Sequence, residues 1–264
     1  MDTESWQSVP SLWRGVQSCL QDLSKLPWHD QSSRLRYSET TNDSMTSVSI
    51  AAELKRKCPS AALGWVEAEV VIGPKPDGLN DLLRKCEERF AKSLDGRAAL
   101  EAPAILMTRA GYRALGKDPA RYRGSAEALL RRLIAGKGLP RINNVVDVIN
   151  LVSVESRLPI GLYDLAQVQG AIEFRAGRAG ESYKGIGKYD LNLEGLPLFA
   201  DAKGPHGSAT SDSERTMVTE ATTRVLAILV SFGGTGGLEQ WAQRLGSLLQ
   251  EYASGEKVEW RVAN

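Results

Sequence analysis

The chain has 264 residues, of which 42% are hydrophobic and 25% are charged. This composition is typical of a globular protein that folds without disulfides or structural metals. Cys19, Cys58 and Cys86 are odd in number and lack C-x-x-C spacing, which argues against a disulfide framework or a zinc site. Because we find neither an apolar run of bilayer length nor a secretory leader, we expect a cytoplasmic protein without membrane contact.

The pattern along the chain predicts an N-terminal extension over residues 1–44, which lacks sustained periodicity, and one domain with two interleaved subdomains over 45–264. In chain order, apolar residues at helical spacing predict helices over 49–57, 79–90, 125–134, 144–155 and 238–252. Alternating or β-rich segments predict strands over 64–72, 170–175, 181–186, 197–201 and 216–232. Helices and strands are segregated, so the predicted fold class is α+β.

The net charge of +1 argues against a generic nucleic-acid binder, but the charge is unevenly distributed. Between Arg109 and Arg141, nine basic residues stand against two acidic ones, which gives this segment +7. A solvated surface produces the same pattern, yet such a field suits a phosphate backbone. The candidate RNA-binding residues are Arg121, Arg123, Arg131, Arg132, Lys137 and Arg141.

Two groups of polar residues are candidates for binding a small molecule. Asn143, Asp147 and Asn150 are spaced to lie along one face of a predicted helix. They either bond the adjacent backbone or bind a ligand. Arg175 and Glu181 flank a glycine-containing turn, where they form an ion pair across a hairpin or meet the charged end of an amino acid.

Residues 204–215 are polar and contain glycine, so we expect a mobile binding loop with an exposed, inert His206. Two histidines and three dispersed cysteines do not supply a Ser-His-Asp triad, a Cys-His pair or a metal-ligand cluster. We therefore expect no metal, no cofactor and no covalent catalysis.

Residues 139–150, Leu-Pro-Arg-Ile-Asn-Asn-Val-Val-Asp-Val-Ile-Asn, resemble the signature of the B3/B4 family, in which a proline precedes an Asn-x-Val-Asp-x-x-Asn helix. Other segments that resemble family motifs follow in the same order, namely 158–164, 172–175 with 180–181, and 212–215 with 222–223. Collinear motifs across residues 48–255 are more specific than any single one. The family includes the tRNA-editing domain of the phenylalanyl-tRNA synthetase β subunit.

The resemblance implies β-sandwich layers with packed helices and an amino-acid pocket between two subdomains. Where the synthetase domain carries a histidine, this sequence has Gly161, so tyrosine specificity is not implied. The resemblance assigns no catalytic residue. The residues that it implies for substrate binding are Asn143, Asn144, Asp147, Asn150, Asp164, Arg175, Glu181, Asp212 and Arg215.

Three functions are compatible with these features, and in each the partner is aminoacylated tRNA or an amino acid rather than DNA or a membrane. The first is hydrolysis, in trans, of an aminoacyl ester on mischarged tRNA by a positioned water and oxyanion donors. The second is a module that binds tRNA or an amino acid without chemistry. The third is transfer of the aminoacyl group to a small acceptor. The shared pocket motifs favour hydrolysis.

Overall fold

The computed structural model describes residues 45–92 and 96–264, and Met45–Asn264 form one compact unit. The N-terminal extension predicted over residues 1–44 lies outside the described residues. The described helices are α1 Ala52–Lys57, α2 Asp77–Lys92, α3 Gly96–Leu100, α4 Pro103–Ala114, α5 Ser125–Ile134, α6 Asn144–Ser156 and α7 Leu238–Tyr252. The described strands are β1 Val48–Ile50, β2 Ala62–Glu69, β3 Ile160–Asp164, β4 Ile172–Ala176, β5 Ser182–Lys184, β6 Asp190–Asn192, β7 Pro197–Asp201, β8 Gly204–Ser208, β9 Arg224–Ser231 and β10 Glu256–Ala263.

Two four-stranded sheets organise the fold. The central sheet is antiparallel and has the strand order β10-β2-β9-β3. The outer sheet has the order β1-β4-β7-β8, in which β1 runs parallel to β4 and the other pairs are antiparallel. Strands β5 and β6 form a separate two-stranded ribbon. The predicted α+β class is therefore confirmed.

The central sheet is covered on both faces, which its most buried strand shows directly. Successive side chains of a strand point to opposite faces, and alternate residues of β9 belong to two different cores. The side chains that pack against helices are Val225, Ala227 and Leu229. The side chains that pack towards the outer sheet are Leu226, Ile228 and Val230. Two apolar cores therefore share one sheet.

The helical core lies between the central sheet and the helices α2, α5, α6 and α7. The predicted apolar stripe of α2 is buried here through Leu79, Leu83, Cys86 and Phe90. Burial raises the pKa of the Cys86 thiol to about 12, so this thiol stays protonated at neutral pH. Cys86 is therefore a residue of the helical core.

The second core, between the two sheets, depends on a close fit around Tyr163. Its ring lies edge-on to His206 at 4.6 Å and to Phe199 at 5.9 Å between ring centroids. A Cβ at Gly161 would lie 2.1 Å from the Tyr163 hydroxyl oxygen, and one at Gly207 would lie 2.2 Å from it. The two glycines thus provide the space that the tyrosine ring fills.

Most predicted elements are confirmed, with differences at their ends. The helices expected over 79–90, 125–134, 144–155 and 238–252 are present. The segment 49–57 is helical only from Ala52, because its first residues pair with β4 as β1. The strand expected over 216–232 is confined to 224–231. The elements α3, α4, β3, β6 and β10 were not predicted from the sequence.

The expectation of a mobile loop over 204–215 is wrong for its first part, since residues 204–208 form β8 against β7. His206 is fully buried rather than exposed. Gly204, Pro205 and Gly207 hid the strand, because glycine and proline are uncommon in strand interiors. The glycine at 207 is required here by the neighbouring tyrosine ring.

Gly207→Ala tests the fit between the two sheets. The added methyl group would overlap the Tyr163 hydroxyl, and overpacking of this kind costs about 1–3 kcal/mol. We expect chemical denaturation to show that loss for Gly207→Ala. The control Gly236→Ala, at an exposed glycine whose Cβ would meet no atom within 4 Å, should change stability by less than about 0.5 kcal/mol. Equal stability of the two variants would contradict the fit.

Candidate functional site

The amino-terminal end of α6 carries two of the predicted ligand-binding asparagines. Asn143 caps the helix, where its side-chain oxygen accepts a hydrogen bond from the Val146 amide at 2.9 Å. Asn144 is buried and accepts from the amides of Gly73 and Val145. Its amide group donates to the carbonyls of Val71 and Tyr252. Asn144 therefore joins α6 to the segment after β2 and to the end of α7.

Asp147 lies one turn further along α6 and is fully buried. One of its oxygens accepts from the Ile142 amide at 2.9 Å, and the other lies 3.2 Å from the Lys75 ammonium. The side chain of Lys75 retains partial exposure. Asn150 is half-buried, and within residues 45–92 and 96–264 its side chain makes no hydrogen bond. The side-chain amide of Asn150 is therefore available to bind a ligand. The side-chain amide of Asn144 is saturated, because its hydrogen bonds are all made to the protein backbone.

Asp164 ends β3 and is buried. One carboxylate oxygen accepts from the Ala166 amide, which begins a short 3-10 helix, and the other accepts from the Thr222 hydroxyl at 2.9 Å. This predicted substrate-binding residue therefore ties the end of β3 to the turn that leads into β9.

Arg175 and Glu181 form a bidentate ion pair, with nitrogen-to-oxygen distances of 2.8 and 2.7 Å. Glu181 also accepts from the Arg178 amide at 2.7 Å. Hydrogen bonds from Arg175 are the main reason that the pKa of Glu181 is lowered. The expected hairpin is wrong, because β4 pairs with β7 and β5 pairs with β6. The pair instead holds the link between the outer sheet and the ribbon.

Arg215 and Asp201 form a second bidentate pair, at 2.9 and 3.1 Å. Arg215 also donates to the carbonyls of Gln167 and Gly204. Its guanidinium therefore connects the end of β7 with two short 3-10 helices. Such an arrangement stabilises the local backbone and uses most of the donors of Arg215.

Three tyrosines from three elements bind the segment after β8. Tyr163 donates to Asp212 at 3.0 Å, Tyr183 donates to the Ser211 carbonyl, and the Tyr112 hydroxyl lies 2.6 Å from that of Thr210. Desolvation raises the pKa of Asp212 to about 7, against the hydrogen bonds that it accepts. The sequence predicted Asp212 but not its tyrosine partners, which are far from it in the chain.

His206 lies beneath the same segment and faces the Tyr163 ring. Burial lowers its pKa to about 4, so the ring is neutral at physiological pH. Its Nδ1 atom is 3.5 Å from the Thr216 hydroxyl. The predicted absence of a catalytic role for His206 stays a prediction, but its physical basis is burial and not solvent exposure.

The six predicted RNA-binding residues are all exposed. Some are held by neighbours: Arg131 contacts Glu127 at 2.8 Å, Arg132 donates to the Gly138 carbonyl, and Arg141 contacts Glu87 at 2.8 Å. Arg121 lies over the ring of Tyr122 at 5.9 Å. The remaining two, Arg123 and Lys137, make no ion pair within the part of the chain that the structure describes.

The stretch between Arg109 and Arg141, which carries the net charge of +7, is called the basic segment. A groove of about 570 Å³ lies within it. We call it the basic groove, and its lining residues are Arg109, Arg113, Asp118, Pro119, Ala120, Glu127 and Arg131. Glu127 is only 4% exposed and accepts hydrogen bonds from Arg109 at 2.9 Å and from Arg131 at 2.8 Å. Desolvation would raise the pKa of Glu127, but the two guanidinium groups outweigh it, and the pKa is lowered.

Sequence reasoning missed two participants in these sites. Glu127 carries a detectable signal, because it lies beside the apolar stripe of α5 and four residues before Arg131. Lys75 carries none, since it lies in a turn and is brought to Asp147 only by the packing of α6.

Comparison with known families bears on both sites. Residues 108–236 match the family model of the B3/4 domain. This stretch of the chain is therefore similar to the B3/4 domain. The match begins within α4 and ends after β9. It therefore includes the basic groove, both bidentate ion pairs, and the polar residues Asn143, Asp147 and Asn150 of α6. The predicted family resemblance is confirmed.

The chain is also similar to part of the phenylalanine–tRNA ligase β subunit of several bacteria. Identity is 33% over 104 residues with the Paramagnetospirillum magneticum protein, covering 39% of this chain and 13% of that one. It is 35% over 78 residues with the Chromobacterium violaceum protein, covering 29% and 10%. The matched regions thus span about a tenth of the curated relatives.

Among solved structures, an N-terminal fragment of the phenylalanyl-tRNA synthetase β subunit from Pyrococcus horikoshii matches with a TM-score of 0.45 and 17% identity. The match covers 81% of this chain and 50% of that chain. Among the described residues, no helix is long and apolar enough to cross a membrane. In the same residues, no group of three or more histidine, cysteine or acidic side chains is placed to hold a metal ion.

Asn144→Ala and Asn150→Ala distinguish a saturated amide from an available one. Removing the Asn144 side chain leaves the Gly73 amide and two carbonyls without their partner, at a cost of about 3 kcal/mol. Asn150→Ala breaks no hydrogen bond among the described residues and should cost less than about 1 kcal/mol. The free energies of unfolding of both variants check this, and a reversed order would refute the assignment.

Asp212→Asn tests the titration of the tyrosine-bound carboxyl. The pKa of Asp212 is about 7 in the folded protein and 3.8 when unperturbed. Folding therefore takes up a proton between these values, and the contribution of Asp212 to stability, full at low pH, is lost as pH rises towards 7. The free energy of unfolding of the native protein should fall by about 4 kcal/mol relative to Asp212→Asn between pH 4 and pH 8.

His206 changes the free energy of unfolding with pH in the opposite direction to Asp212. Because His206 titrates in both the native protein and Asp212→Asn, its effect cancels when the two are compared. Because the pKa of His206 is lowered to about 4, its contribution grows as pH rises to 6.5. A difference between native protein and Asp212→Asn that stays constant from pH 4 to pH 8 would show that Asp212 titrates normally.

Proposed function

We propose that this protein binds aminoacylated tRNA through its basic segment and hydrolyses, in trans, the ester of a mis-attached aminoacyl group. The observation that carries the proposal is the inclusion of that segment, with its groove and exposed arginines, in the B3/4 domain. Relatives of the chain include phenylalanine–tRNA ligase β subunits. Arginine side chains suit phosphate oxygens because their planar donors bind two oxygens at once.

The proposed ester-binding end is the amino-terminal part of α6. Lys75, held by Asp147, supplies an ammonium group that retains solvent contact. Asn150, seven residues beyond the helix cap Asn143, offers an amide without a protein partner among the described residues. Two such donors suit the oxyanion that develops when water attacks an ester.

The apolar surroundings of this end suit an uncharged amino-acid side chain. Val71 and Ile142 are 63% and 65% exposed. Both bond to α6, through the Asn144 amide group and the Asp147 carboxylate respectively. Exposed apolar residues beside a few fixed polar groups are a common composition of ligand sites. The other predicted substrate-binding residues, Asp164, Arg175, Glu181, Asp212 and Arg215, are proposed to shape the site through the loops that they hold.

A panel of mischarged tRNAs tests the proposal. We expect release of the amino acid from at least one of them above the spontaneous rate. Asn150→Ala should lower kcat about 100-fold, as loss of one oxyanion donor does, and should leave the free energy of unfolding nearly unchanged. Arg56→Ala, at an exposed arginine of α1 outside the basic segment, serves as the control and should hydrolyse normally.

The alternatives give different products in the same assay. Saturable, salt-dependent tRNA binding without release of the amino acid from any tRNA indicates a binding module and refutes hydrolysis. Release only when a small amine is present, with the aminoacyl group found on the amine by mass spectrometry, indicates a transferase.

A further inference from the structure

The basic groove has an internal organisation that a solvated run of arginines lacks. Glu127 sits at its base, almost fully buried, and is the shared acceptor for two guanidinium groups from different helices, Arg109 of α4 and Arg131 of α5. Arg109 uses its Nε and Nη2 atoms in this contact, whereas Arg131 uses Nε. The Nη1 atom of Arg109 and both Nη atoms of Arg131 have no acceptor among the described residues.

A third arginine completes the groove. Arg113 follows Arg109 by one turn of α4, is exposed, and forms no ion pair within the described parts of the chain. The remaining carboxylate, Asp118, accepts a hydrogen bond from the Ala120 amide and lies on an exposed turn. Three guanidinium groups therefore share the groove with two carboxylates, one of which is fully engaged in holding two of them.

We propose that the basic groove binds a phosphate group of the RNA backbone, with Arg109, Arg113 and Arg131 as donors and Glu127 as the positioning residue. This proposal rests on the RNA binding proposed above and specifies where one phosphodiester is held. The free guanidinium edges present several N–H groups in fixed orientation, which is the geometry that phosphate oxygens accept. The groove volume of about 570 Å³ accommodates a phosphodiester with its adjoining sugars.

Glu127→Gln distinguishes a positioning role from charge neutralisation, because the two roles predict opposite changes in RNA affinity. If Glu127 only neutralised the groove, Glu127→Gln would add one unit of positive charge and strengthen RNA binding. If Glu127 positions the guanidinium groups, the amide NH₂ of glutamine faces N–H donors and releases at least one arginine, so binding weakens despite the added charge.

Asp118→Asn is the matched control for charge. It adds the same unit of positive charge at the rim of the groove, and its side-chain oxygen is still able to accept from the Ala120 amide. It leaves the contacts of Glu127 intact. We therefore expect Asp118→Asn to bind RNA as tightly as the native protein or up to about threefold more tightly.

The experiment measures the affinity of each variant for a tRNA transcript at several salt concentrations. We expect Glu127→Gln to bind at least about fivefold more weakly than the native protein. Arg113→Ala, which has no described partner to lose, should bind about fivefold more weakly and reduce the slope of log affinity against log salt by about 1. Arg56→Ala should match the native protein. Thermal unfolding identifies a Glu127→Gln variant that fails to fold, in which case Arg113→Ala decides.

The outcomes separate this proposal from the one that it rests on. Native-like RNA affinity in both Glu127→Gln and Arg113→Ala, or tighter binding by Glu127→Gln, overturns the groove while leaving RNA binding in place. No RNA binding by the native protein overturns both. Inorganic phosphate supplies a further test: stabilisation of the native protein at millimolar phosphate, lost in Arg113→Ala, together with absent RNA binding would assign the groove to a free phosphate instead.

Discussion

The central sheet is buried on both faces, and this constraint decides where polar chemistry is possible. Alternate side chains of β9 belong to the helical core or to the core between the sheets, so a charged residue at these positions of β9 would be buried among apolar side chains. Polar groups are therefore placed at the ends of strands and on the helices outside the sheet. The amino-terminal end of α6, the segment after β8 and the basic groove all lie at such positions.

The polar side chains at these positions are of two kinds. Some make all their hydrogen bonds to the protein, and others keep donors that are available to a ligand. Asn144, the pair Arg175 and Glu181, and the pair Arg215 and Asp201 use their hydrogen-bonding capacity on the protein itself. They hold loops, and their removal costs stability before it affects binding. In the basic groove the buried Glu127 engages only part of two guanidinium groups. Partial engagement fixes their orientation and leaves donors for a ligand, which is the preorganisation that binding requires.

The local patterns of the sequence were sufficient for the helices α2, α5, α6 and α7 and for the family resemblance. They were not sufficient for α3 and α4 or for contacts between distant segments. The apolar stripes of α2 and α7 and the Asn-x-Val-Asp-x-x-Asn motif of α6 depend on neighbouring residues, and all were predicted. The β8 strand was missed because Gly204 and Gly207 weaken the strand signal, although the ring of Tyr163 leaves no room for a side chain at position 207. The pairing of β4 with β7 instead of β5, and the approach of Lys75 to Asp147, are set by tertiary packing, which periodicity does not encode.

The central claim is that the basic segment, residues 109–141, is the surface that we propose to meet RNA. Amide hydrogen exchange of the native protein with and without a tRNA transcript tests this claim most directly, because protection reports which backbone segments a ligand stabilises. We expect protection concentrated between residues 109 and 141, together with the amino-terminal turn of α6. Protection confined to α7 and β10, with unchanged exchange in α4 and α5, would contradict it.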